Sequence, residues 1–111
     1  MLEAAKTFFE VLKAKCLKMS TELSTTDGET IDCKYTVTKI DSAGAETRVL
    51  ANGAEGQIKI LAAVATLTGT VTVTPTNFVS TSIALDAVTK TWIGIFLNGK
   101  WVTLGGTATV S

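Results

Sequence analysis

The stretch IGIFLNGKWVTLGG, residues 93–106, decides how the rest of the chain is read. Asn98-Gly99 at its centre supplies the two positive-φ residues that a type I′ turn demands. Trp92–Leu97 and Lys100–Gly105 are therefore expected to pair as a hairpin. A two-residue loop fixes the register: Leu97 opposite Lys100, Phe96 opposite Trp101, Ile95 opposite Val102, Gly94 opposite Thr103, Ile93 opposite Leu104 and Trp92 opposite Gly105. Strand side chains alternate between faces. Trp92, Phe96, Trp101 and Thr103 then share one face, and Ile93, Ile95, Leu97, Val102 and Leu104 share the other. Neither face is made for water, so both need cover.

Working outward, the chain length bounds what that cover can be. At 111 residues the chain has room for one domain, and a domain of this size buries a smaller share of its surface than a large one. Ten basic and ten acidic residues balance to zero net charge, without the basic stripe of a nucleic-acid binder. No apolar run reaches transmembrane length, and the N-terminus lacks a signal-peptide core. Neither nucleic acid nor membrane is expected as a partner. Of the twenty charged residues, only Lys59, Asp86, Lys90 and Lys100 lie between Gln57 and Ser111. A lone soluble domain usually carries more surface charge than this, whereas a protein that works in an assembly need not.

Residues 1–23 read as a helix rich in Ala, Leu, Lys and Glu, with Leu2, Ala5, Phe9, Leu12, Cys16, Met19 and Leu23 on one stripe. The polar run Ser20–Thr26 ends it. The helix either lies on its own domain, joins a bundle with sister chains or docks on a partner protein; for docking, Leu2, Phe9, Leu12 and Met19 are the candidates. Residues 1–26 are thus a helical segment and 27–111 a β-rich body, with a composition shift at residues 52–56. In the body, Ile31, Cys33, Tyr35 and Val37 alternate with polar residues as one half-buried strand. The turn DSAG, residues 41–44, leads into ETRVL as its hairpin partner. QIKILAAV and TVTVT follow, and Pro75 closes the latter because proline cannot donate to a ladder. SIALDAV points Ile83 and Leu85 inward, and TATVS at the C-terminus is the last strand. Short strands at such spacing give a mainly β fold, a compact antiparallel sandwich or barrel-like body with an N-terminal helix.

Catalytic chemistry is sparse. The chain has no His, the commonest general base and metal ligand. Cys16 and Cys33 have no further ligands spaced for zinc. Asp27, Glu29 and Asp32 lack the order of a calcium loop, and no glycine run opens a helix after a strand. The chain is expected to be a non-enzyme, with no cofactor and no metal. Trp92, Phe96 and Trp101 suit either a stacking platform for sugars or a packed core with Gly105 making room for the Trp92 ring; their uncharged neighbours favour the core. On the opposite face, Ile93, Ile95, Leu97, Val102 and Leu104 are together worth on the order of 7–15 kcal/mol if buried. These five are the candidate oligomer interface.

The run GAEGQIKILAAV…TGTVTVTPTNF…SIALDAVTKTWIGIFLNGKWVTLGGTATVS resembles a module of small virion proteins of tailed phages, especially those of aquatic bacteria. The matching features are Gly56-Gln57-Ile58-Lys59, Val73-Thr74-Pro75-Thr76-Asn77-Phe78, Ile83-Ala84-Leu85-Asp86-Ala87-Val88, Asn98-Gly99-Lys100-Trp101 and Gly105-Gly106. They span roughly residues 50–111. The resemblance implies a β-rich trimeric virion component. Its first form is a capsid decoration (cement) protein on the head surface, assembled in the bacterial cytoplasm, which binds the major capsid protein and stabilises the shell. The alternative is a tail fibre or spike tip that binds host-surface glycans.

Overall fold

A computed structural model describes residues 18–64 and 66–111. The helix expected from the sequence, with Leu2, Phe9 and Leu12, lies for its first seventeen positions outside the described residues. The strands are β1 (Thr21–Ser24), β2 (Thr30–Ile31), β3 (Val37–Ile40), β4 (Glu46–Leu50), β5 (Ile58–Ala63), β6 (Val71–Pro75), β7 (Ile83–Leu85), β8 (Thr91–Leu97), β9 (Lys100–Gly106) and β10 (Thr109–Val110). They form two five-stranded sheets. The first has the order β1-β3-β5-β8-β9 and the second β10-β7-β6-β4-β2.

The first six strands alternate between the sheets, so neighbours within a sheet are parallel: β1 with β3, β3 with β5, β2 with β4, and β4 with β6. This corrects the expected antiparallel sandwich. The sheets are mixed, and antiparallel pairing is confined to β5–β8, β8–β9, β6–β7 and β7–β10. The expected β3–β4 hairpin shows why. A tight hairpin needs left-handed backbone at its tip, and no residue of the 41–44 turn has positive φ. The chain instead steps across to the other sheet, and β4 pairs with β2 and β6. The strand read through residues 31–37 likewise divides, Ile31 ending a strand of the second sheet and Val37 opening one of the first.

Where the left-handed geometry is present, the hairpin forms. Asn98 has φ 54° and Gly99 φ 79°, and the four pairs from Leu97–Lys100 to Gly94–Thr103 have the expected register. Beyond them the register shifts, and Ile93 stands opposite Gly105 rather than Leu104, with Trp92 opposite Gly106. Leu104 is the extra residue of this irregularity, which leaves it unpaired and its side chain outward.

A second correction concerns residues 21–23, which are strand rather than the end of a helix. The inward residues of β1 explain it. Glu22 accepts a hydrogen bond from Thr38 Oγ1 at 2.8 Å, and the Ser24 hydroxyl accepts one from Arg48 Nε at 2.8 Å. Tertiary partners far along the chain override the local helical preference.

Between the sheets lie Ile40, Leu61, Ala63, Trp92, Phe96 and Trp101 from the first, against Ile31, Leu50, Val71, Val73, Ile83 and Leu85 from the second. Ile83 and Leu85 point inward as expected. The aromatic rings meet edge to face, Phe78–Trp92 at 6.1 Å, Trp92–Trp101 at 6.0 Å and Phe96–Trp101 at 5.2 Å between centroids, a preferred arrangement for such pairs.

Candidate interaction surface

The five residues read as an interface do stand on one face, the outer face of the first sheet. The aromatic side of β8 and β9 fills the core, which turns Ile93, Ile95, Leu97, Val102 and Leu104 away from it. Leu104 is 57% exposed and Leu97 38%, while Ile93, Ile95 and Val102 are half-buried among their neighbours.

The structure widens this face beyond the hairpin. Ile58 on β5 stands opposite Ile95, which in turn stands opposite Val102. The next row runs Val37, Ile60, Ile93. Ile58 is 43% exposed. Sequence reasoning placed Val37 only in a half-buried strand, and the apolar alternation of β5 does not by itself say whether its isoleucines enter the core. They do not: Lys59, Leu61 and Ala63 do. The signal that could have found them is pairing, since residues directly opposite in a ladder share a face. Charge is confined to the margins of this face, with Lys39 on β3 and Lys100 beside the hairpin turn. Met19 is exposed two residues before β1.

Lys59 and Arg48 take inward positions at no cost in unpaired donors. The Lys59 ammonium donates to the carbonyls of Tyr35 at 2.6 Å and Asp32 at 2.9 Å, with a Glu22 carboxylate oxygen 4.0 Å away. It holds the segment where the chain crosses between sheets. Burial pushes its pKa below the ordinary 10.5, against the pull of Glu22, Cys33 and Asp32. Burial also pushes the Cys33 thiol above 9.0, partly opposed by Lys59. The Arg48 guanidinium donates to Ser24 Oγ, Thr47 O and Asp41 O and lies 3.0 Å from Glu46. Both cations are bonded into the fold and face away from the outer surface.

The tryptophans offer no ring to a sugar. Trp92 and Trp101 are both 0% exposed, and their indole N–H groups donate to Thr103 Oγ1 at 2.9 Å and to Ala51 O at 3.0 Å. The glycine that makes room for Trp92 is Gly94 rather than Gly105. A Cβ on Gly94 would fall inside the Trp92 ring, whereas one on Gly105 would meet nothing within 4 Å. Asp27 and Asp32 accept hydrogen bonds from the backbone amides of Thr47 and Lys34. Among the described residues no three His, Cys, Asp or Glu side chains gather at metal-binding distance.

Compared with protein-family models, curated proteins and solved structures, the chain finds no match.

Proposed function

We propose that this chain is a structural protein of a tailed-phage virion, a capsid decoration (cement) protein that assembles as a homotrimer, binds the major capsid protein and stabilises the head shell. The observation that carries the reading is the outer face of the first sheet, where Ile58, Ile60, Ile93, Ile95, Leu97, Val102 and Leu104 stand together with charge only at the margins. A sheet face of this kind gains stability when covered and invites aggregation when left wet. Copies of the same chain are the proposed cover, with Ile93, Ile95, Leu97, Val102 and Leu104 at the interface. Decoration proteins act by adding buried area where shell subunits meet, which calls for a rigid body and association surfaces rather than a catalytic cleft.

The virion assignment itself draws on the resemblance of residues 50–111. Its matching residues are strand and turn positions of this body: the start of β5, the end of β6, β7 and the β8–β9 turn. For the alternative, a glycan-binding tip, the buried tryptophans supply no stacking surface. The experiment is immunogold electron microscopy of purified phage particles carrying this protein. Gold over the head shell is expected. Gold confined to the tail, or no gold on particles, would contradict the proposal.

A further inference from the structure

We infer that Asn52 is a site of spontaneous covalent modification: its side-chain amide is displaced by the Gly53 nitrogen, and the residue becomes aspartate or isoaspartate. The inference goes beyond the virion reading and does not depend on it.

The chemistry needs only the chain and water. The Gly53 backbone nitrogen loses its proton and attacks Asn52 Cγ. The Cγ–Nδ2 bond breaks, ammonia leaves, and a five-membered succinimide remains. Water then opens the ring. Cleavage at the side-chain carbonyl gives aspartate; cleavage at the main-chain carbonyl gives isoaspartate, whose backbone runs through Cγ. A glycine after the asparagine suits this attack because no side chain shields the nitrogen.

The chain carries two such pairs, Asn52-Gly53 and Asn98-Gly99, and both asparagines are exposed. The fold separates them. Asn98 and Gly99 occupy the central positions of the type I′ turn, which holds Asn98 ψ near about +30°. At that angle the Gly99 nitrogen is turned away from the Asn98 side chain. The turn is closed by the Leu97–Lys100 pair, and the Asn98 N–H donates to the Glu55 carboxylate at 2.9 Å. Reaction at Asn98 therefore requires the hairpin tip to open. Asn52 lies between β4 and β5, outside any ladder. Among the described residues neither the Asn52 N–H nor the Gly53 N–H has a backbone acceptor. Rotating the peptide between them costs no more than the weak contact of the Cys33 thiol with the Asn52 carbonyl at 3.7 Å. Asn77 Nδ2 donates to Asn52 Oδ1 at 3.1 Å. That bond polarises the carbonyl under attack and steadies the negative charge that develops on its oxygen.

The core feels the change through Trp101. A Cβ on Gly53 would stand 3.1 Å from two atoms of the Trp101 ring. The Ala51 carbonyl accepts from the Trp101 indole N–H at 3.0 Å, and the Asn77 carbonyl accepts from the Trp101 backbone N–H at 2.9 Å. Isoaspartate at position 52 inserts one methylene into the main chain between the Ala51 carbonyl and Gly53, and the Trp101 ring lies against that stretch.

The test incubates the full-length protein in mildly alkaline buffer and follows it by peptide mass mapping. Trypsin cuts after Lys and Arg, so Asn52 falls in peptide 49–59 and Asn98 in peptide 91–100. Replacement of the amide by a carboxylate is expected in peptide 49–59 at least about tenfold faster than in peptide 91–100, a barrier difference of about 1.4 kcal/mol. Isoaspartyl methyltransferase should label the same peptide. In guanidinium chloride the two rates should converge. The near-ultraviolet circular dichroism of the incubated parent should drift, and that of Asn52→Gln should not. Position 98 reacting as fast as position 52, no reaction at either, or an unchanged ratio in denaturant would overturn the inference. An equal drift in Asn52→Gln would overturn the coupling to Trp101.

Discussion

At the scale of single residues, two interior positions control the first sheet. Gly94 has its place because the Trp92 ring occupies the space a side chain would need. Gly94→Ala is expected to cost about 1–3 kcal/mol by overpacking, with a changed near-ultraviolet circular dichroism signal from the displaced indole. Gly105→Ala should fall within about 0.5 kcal/mol of the parent, as changes that disturb no contact do. Urea denaturation of both variants checks the contrast. The sequence reading gave this role to Gly105, the residue expected opposite Trp92, whereas the ring lies along its own strand over Gly94, two residues on and on the same face. Lys59 gives a second residue-scale prediction. Its folded pKa is lowered, so the buried charge destabilises the fold below that pKa and the penalty disappears as pH rises toward 10.5. Cys33, with a raised folded pKa, acts oppositely above 9.0. In a Cys33→Ser background, the chain with Lys59 should therefore gain stability relative to Lys59→Met as pH rises through the window below 10.5. Denaturant midpoints measured along that range should diverge; parallel midpoints would show that Lys59 carries no burial penalty.

At the scale of elements, the chain divides by how far each strand's partner lies along it. The β8–β9 hairpin was legible because Asn98-Gly99 encodes its own turn and a two-residue loop leaves one register. Gly99 has φ 79° with open space around it, so Gly99→Ala should cost about 1–2 kcal/mol through left-handed strain alone. Faster amide exchange than in the parent at Ile95 and Val102, the next pair bonded across this ladder beyond Leu97 and Lys100, is the accompanying readout. The parallel pairs were not legible. β3 finds β5, and β4 finds β6, across intervening segments that visit the opposite sheet, and such pairing leaves no signature in a short window. β1 shows the same lesson: its place is set by Arg48 and Thr38, not by residues near it.

At the scale of the whole molecule, the chain builds one interior and one apolar exterior from a single alternation. The two-sidedness of β8 and β9 was visible in the sequence and stands in the structure, aromatic rings inward and Ile93, Ile95, Leu97, Val102 and Leu104 outward. The contribution of Ile58 and Ile60 was not visible, because β5 carries a lysine where the core begins, and that burial is made tolerable by partners distant in the chain, the Asp32 and Tyr35 carbonyls with the Glu22 carboxylate 4.0 Å away. The account's central claim is that copies of this chain cover that exterior. Sedimentation equilibrium of the full-length protein beside Ile95→Asp tests it most directly. The parent is predicted to sediment as one species of three times 11.6 kDa, and the variant as folded single chains with an unchanged β-sheet circular dichroism spectrum. A parent that sediments at the single-chain mass, or a variant that keeps the parent's mass, would contradict the account.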